Sequence, residues 1–260
     1  MNLTDRPADV SFEDLTRQAL ADEEMVPAYH LKEVVEAIDA AAKEKKLKGI
    51  FMTGGFVPSG YGCGYETILE FIRALETFKQ SGKKIIGYLH SPSQLDYLVY
   101  SICDELIMDP AGTMLLTGLA SEQLFLGDTL RKYGVGVQVV RTGRFKGAVE
   151  PFTESKFSEE NRAQIQNLLD RRWKHYLQKL ATARSINWED LNGTLAQKFL
   201  WRPEDAVTEG FVDRVDDFGG VIDRLIELGS EEEENNTFAQ IGFGDYIERL
   251  RPNPLEKEDG

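Results

Sequence analysis

Gly49-Ile50-Phe51-Met52-Thr53 and Ile85-Ile86-Gly87-Tyr88-Leu89, with the stretch from Glu66 to Lys79 between them, decide how the rest of the chain is read. Each of the two runs is short and apolar, as a buried strand requires. In the stretch between, Ile68, Leu69, Phe71, Ile72, Leu75 and Phe78 recur at helical spacing and form one broad apolar face. Strand, helix and strand in this order predict a parallel pair joined by a right-handed crossover. The same alternation continues on both sides. A helix is expected over Leu31–Lys46, with Val34, Val35, Ala37, Ile38, Ala41 and Ala42 inward, and a short one over Ser91–Ser101, capped by Ser91 or Ser93. A strand over Leu106–Pro110 follows, then a helix over Ser121–Tyr133 and a fourth strand over Val135–Val140. A long helix is expected from Ser158 to Ala181. Trp188–Phe199 and Pro203–Glu209 are shorter elements, and strand Phe211–Val215 precedes helix Phe218–Leu228. The fold class is therefore α/β, with a mostly parallel sheet and flanking helices.

The 260 residues include 44 acids and 30 bases, a net charge of −14. Nucleic-acid binding through phosphate contacts needs clustered Lys and Arg, and this composition argues against it. It argues equally against a polybasic membrane surface. No run of about 18 apolar residues occurs, so no transmembrane helix is expected, and the first residues lack the pattern of a secretory signal. Cys63 and Cys103 make no disulfide framework. His30, His90 and His175 are scattered, so neither a metal site nor a cofactor is expected. Residues 1–30 read as an acidic lead-in arm and 31–229 as the folded domain. Residues 230–260, with nine acids against three bases, read as an acidic linker holding a short helix around Tyr246–Leu250.

Three segments are candidates for chemistry. In Arg141-Thr142-Gly143-Arg144-Phe145-Lys146-Gly147-Ala148-Val149-Glu150-Pro151-Phe152, burial beside Phe145 and neighbouring arginines would lower the pKa of Lys146. A lysine neutral near pH 7 can take the proton of a serine hydroxyl as a general base; the other reading is a solvated loop lysine. In the loop from Gly54 to Gly64, Gly54, Gly55 and Gly60 let backbone N–H groups approach a substrate oxyanion, or simply make a flexible turn. In Leu89-His90-Ser91-Pro92-Ser93-Gln94-Leu95-Asp96-Tyr97, Ser93 stands at a strand-to-helix turn near His90 and Asp96. It is a possible nucleophile, with helix capping as the competing role.

The lysine segment, Arg141 to Phe152, resembles that of the signal peptide peptidase A family, which are bacterial membrane-anchored Ser/Lys-dyad endopeptidases of the ClpP/crotonase-type fold. The resemblance extends over roughly residues 25 to 250. It includes Gly49–Thr53, Ser81-Gly82-Lys83-Lys84-Ile85-Ile86, Asp104-Glu105-Leu106-Ile107-Met108-Asp109-Pro110 and Ala206-Val207-Thr208-Glu209-Gly210-Phe211-Val212-Asp213. It implies that Lys146 is the general base. The family's nucleophilic serine position falls on Gln94, and a second family serine falls on Leu119. A lysine kept and a serine absent is the pattern of the N-terminal half of the double-length form, in which a second domain brings the serine. The resemblance thus implies an apolar (signal) peptide substrate, a serine-bearing partner domain beyond Gly260 and a homo-oligomer. It also implies a place in the bacterial cell envelope, through an anchor preceding Met1. A non-catalytic assembly module and a crotonase-type acyl-CoA enzyme are the alternatives.

Overall fold

The computed structural model describes residues 2–4, 28–55, 64–139, 147–232 and 237–251. In chain order the elements are β1 (Asn2–Thr4), β2 (Ala28–His30), α1 (Leu31–Lys43), β3 (Gly49–Thr53), α2 (Tyr65–Lys79), β4 (Lys84–Leu89), α3 (Gln94–Tyr100), β5 (Glu105–Met108) and β6 (Met114–Leu115). After them come α4 (Gly127–Lys132), α5 (Glu150–Thr153), α6 (Glu159–Arg184), α7 (Trp188–Gln197), β7 (Leu200–Trp201) and α8 (Pro203–Thr208). The last are β8 (Arg214–Val215), α9 (Phe218–Leu228), β9 (Glu231–Glu232), β10 (Thr237–Phe238) and α10 (Phe243–Leu250). The described residues form two compact units. One is drawn from 1–116, 183–186 and 198–260, the other from 117–182 and 187–197.

The first unit is built on a parallel sheet of order β3-β4-β5-β8. Ile50 lies opposite Ile85 and Phe51 opposite Ile86, the crossover pairing that the sequence predicts. One face is covered by α9, whose Val221 and Leu225 pack on Ile86, Tyr88 and Ile107, with Phe51, Leu228 and Phe238 at the margin. On the other face Gly87 makes room for Tyr100, Cys103 and Leu106. A Cβ at Gly87 would lie 2.8 Å from a carbon of each of Tyr100 and Leu106 and 2.9 Å from Cys103 Sγ. Beside this sheet, β1 pairs with β2 in parallel and β6 with β7 antiparallel.

Two expected elements differ. Residues 135–139 form no strand, and the sheet's fourth strand is β8 instead; Val140 lies outside the described residues. A strand needs a neighbour for its backbone groups, and the Val135 N–H is already given to Leu130 O at 2.9 Å. The helix expected from Ser121 begins only at Gly127. The Leu126 N–H is spent on Pro151 O at 2.6 Å and the Gly127 N–H on Glu154 O at 3.2 Å, so the chain there follows α5. A side chain at Gly127 would overlap Glu154 O.

Part of the stretch read as an acidic linker also carries structure. β9 pairs with β10, Phe238 stands edge-on to Phe51, and Phe243 edge-on to Tyr29 at 6.0 Å. Ile247 is buried, and Arg251 pairs with Glu33 at 3.1 Å. Charge dominates the composition here, but Phe238, Phe243 and Ile247 supply enough apolar surface to dock the segment.

Candidate functional site

In the first unit, the Gly-rich loop and the Ser93 turn both leave the carboxyl ends of adjacent parallel strands, where α/β sheets place their sites. Gly54 takes a left-handed conformation, φ +82°, which favours glycine, and its carbonyl accepts the Tyr100 hydroxyl at 2.7 Å. A Cβ on Gly55 would stand 3.7 Å from Asp96 Oδ2, so the start of the loop lies close to the first turn of α3. Gly60 lies outside the described residues.

Ser93 is the N-cap of α3. Its Oγ accepts the Asp96 N–H at 3.1 Å and donates to Asp96 Oδ2 at 2.7 Å. Both hydrogen-bonding directions of the hydroxyl are engaged with one residue, the geometry that stabilises a helix start. His90 turns elsewhere, with its Nδ1 3.5 Å from Asp109 Oδ1. Asp109 also accepts the Tyr88 hydroxyl and, at 2.7 Å, the Ala111 N–H. The Tyr88 bond is the largest cause of an Asp109 carboxyl held below the usual carboxylate range. His90, Ser93 and Asp96 therefore form no triad. Gln94, where the family's nucleophile would stand, is the first residue of α3. Leu119 is exposed in the second unit.

Lys146 lies outside the described residues, and the chain that follows it is described from Gly147. Gly147–Val149 make one 3₁₀ turn leading into α5. Glu150, the first residue of α5, is only 1% exposed. Its Oε1 accepts the Ser158 hydroxyl at 2.6 Å, while Oε2 accepts the Ser158 N–H at 3.2 Å and Asn161 Nδ2 at 2.9 Å. Ser158 Oγ in turn accepts the Asn161 N–H at 3.2 Å, which makes Ser158 the cap of α6. The sequence places the helix start at Ser158 but gives no sign of the carboxylate. The capping-box pattern looks for its acid three residues after the cap, and here the acid stands eight residues before it.

Other buried titratable groups serve packing. Burial pushes the thiol of Cys103 up, and likewise the phenols of Tyr97 and Tyr100. The Tyr97 hydroxyl donates to Phe211 O at 2.7 Å. Among the described residues no cluster of His, Cys, Asp and Glu could hold a metal ion, and no helix is long and apolar enough to cross a membrane.

The profile of peptidase family S49 matches residues 77–230, more than half of the chain, a span that holds β4, α3, the lysine segment and α6. Protease 4 of Haemophilus influenzae is 28% identical over 241 residues, covering 86% of this chain and 37% of that protein. The chloroplastic serine protease SPPA of Arabidopsis thaliana is 29% identical over 167 residues, covering 64% and 24%. Protease 4 of Salmonella typhi is 29% identical over 166 residues, covering 62% and 26%. The chain thus spans between about a quarter and just over a third of the length of these relatives. The ClpP-like α/β fold expected from the lysine segment is the one this parallel sheet and its flanking helices build, and with the matched span across its centre the chain belongs to peptidase family S49.

Proposed function

We propose that this chain is the general-base half of a Ser/Lys-dyad serine endopeptidase that degrades apolar signal peptides. The observation that carries the reading is the lysine segment Arg141–Phe152 inside a family S49 match whose serine positions hold Gln94 and Leu119. Lys146, neutral at working pH, takes the proton from a serine brought by a partner domain. That oxygen attacks the scissile carbonyl, the amine leaves with the proton, and water releases the acyl group. In this reading the Gly-rich segment holding Gly54, Gly55 and Gly60 offers backbone N–H groups for the developing oxyanion. Ser93 is read as a cap because its hydroxyl is committed to Asp96 in both directions.

The same reading puts the assembled enzyme at the bacterial cell envelope, held there by a segment outside these residues, as a homo-oligomer. Leu124, Tyr133, Phe152 and Leu168, all in the second unit, are large apolar side chains half or more exposed, which favours an assembly surface.

The isolated 260-residue chain is expected to turn over no apolar fluorogenic peptide and to show no serine labelled by a fluorophosphonate. Supplied with a serine-bearing domain it gains turnover, and Lys146→Ala then lowers kcat by at least about 10²-fold. Turnover by the isolated chain that disappears in both Ser93→Ala and Lys146→Ala would overturn the half-site reading.

A further inference from the structure

We propose that Glu150 is a positioning residue for Lys146: its buried carboxylate ties the 147–153 turn, which directly follows the lysine in sequence, to the first turn of α6. This deepens the peptidase reading and rests on it for the role of the lysine. A carboxylate 1% exposed persists only where donors replace water. Ser158 and Asn161 supply three, all from the helix start. The first-turn N–H groups of a helix have no partner within it, and its dipole favours negative charge there. In a local capping box the acid that takes the cap's N–H belongs to the helix itself. Here Glu150 takes it from outside, so the same bond that finishes α6 also fastens the 147–153 turn to it.

Gly147 completes the clamp. A Cβ there would overlap Asn161 Nδ2 and lie 2.5 Å from Cγ. Asn161 cannot swing away without giving up its bond to Glu150. The backbone of Gly147 therefore rests against a fixed amide, and Gly147 is the residue bonded directly to Lys146 along the chain. An amine that must meet a serine oxygen within hydrogen-bond reach needs a foothold of this kind, since a displacement of about 1 Å costs roughly 10²-fold in rate. Glu150 neither gives nor takes a proton in this scheme; it fixes the origin from which the lysine side chain extends.

The test reads Lys146 directly and needs no activity. The 260-residue chain is reductively ¹³C-dimethylated, and the Lys146 methyl resonance is identified by its loss in Lys146→Arg. Glu150→Gln, which keeps shape and loses one acceptor oxygen, is expected to shift that resonance beyond its linewidth. Gly147→Ala does the same from the loop side. Leu195→Ala, a buried truncation elsewhere in the second unit, should leave it in place. If Glu150→Gln does not fold, Ser158→Ala, which removes one donor, decides by the same shift. A Lys146 resonance unmoved in folded Glu150→Gln, or in Ser158→Ala when that variant is the arbiter, overturns the clamp. In an assembly supplied with the serine, Glu150→Gln is expected to lower kcat about tenfold with KM nearly unchanged, the signature of misplacement and not of lost binding. A shifted resonance with no peptide turnover in any assembly sinks the peptidase reading and leaves the clamp standing.

Discussion

Replacing Asp213 by alanine is expected to destabilise the protein more than replacing its partner Arg184, although both changes break one ion pair. The Asp213 carboxylate accepts the Leu106 N–H at 2.7 Å and the Arg184 guanidinium at 2.7 and 3.3 Å, and the Asp213 N–H returns to Leu106 O at 2.8 Å. The two partners differ in exposure: the Arg184 side chain is 7% exposed and that of Asp213 41%. In Asp213→Ala, fully buried Leu106 loses an acceptor for its N–H, about 1–3 kcal/mol. Among the described residues, a buried guanidinium is also left with its Nε bond to Gly210 O alone. A fully buried broken pair costs about 3–5 kcal/mol. Water entering where the exposed carboxylate stood lowers this, so the total is put at about 3 kcal/mol. In Arg184→Ala the carboxylate rehydrates and keeps the Leu106 N–H, and the cost is about 1–2 kcal/mol. With a urea m-value near 3 kcal/mol/M, the midpoint falls by about 1 M in the first variant and by about 0.5 M in the second. Asp213→Asn, which retains an acceptor for Leu106, belongs between them. Urea titrations followed by circular dichroism measure all three, and equal or reversed midpoints would refute the reasoning.

Gly87→Ala places a methyl against Tyr100, Cys103 and Leu106, an overpacking that costs about 1–3 kcal/mol; a thermal midpoint equal to wild type would show that this face of the sheet is loose. Because burial pushes the Cys103 thiol up, iodoacetamide should spare it in the native protein and modify it in urea. Peptide mass spectrometry separates it from Cys63, and equal native and unfolded rates would contradict its burial. The Asp109 carboxyl lies below its unfolded value because of the Tyr88 hydroxyl first and the Ala111 N–H second. Its contribution to stability is therefore present above the unfolded pKa, about 3.9, and is lost as pH falls through the folded one. Tyr88→Phe removes the main cause, so acid unfolding should begin at a higher pH; an unchanged acid limb would show that the bond contributes nothing.

Periodicity placed β3, α2, β4 and α9 to within a residue, because each carries enough apolar side chains at one spacing to declare its type locally. It misjudged 121–139, where Val135 and Val137 look like a strand but have no neighbouring strand among the described residues, and where contacts to Pro151 and Glu154 replace the first turns of a helix. In the acidic stretch the short helix expected around Tyr246–Leu250 is α10, but the run Glu231-Glu232-Glu233-Glu234 hid the pairing of β9 with β10 and the docking of Phe238. At the site, Ser93 was legible as a cap from its place ahead of an apolar run. Its separation from His90 was not, since that depends on Asp109, nineteen residues further along.

Residue order alone was enough for the α/β class, the strand-helix-strand frame and the family, because hydrophobic spacing and the segment Arg141–Phe152 are local properties of the chain. The seat of Glu150 was beyond its reach. Its partners Ser158 and Asn161 lie eight and eleven residues away, and a carboxylate can be buried there only once α6 has formed and turned its unpaired N–H end toward it. Which polar groups meet is decided by the burial that forces them to pair, and burial exists only in the folded chain.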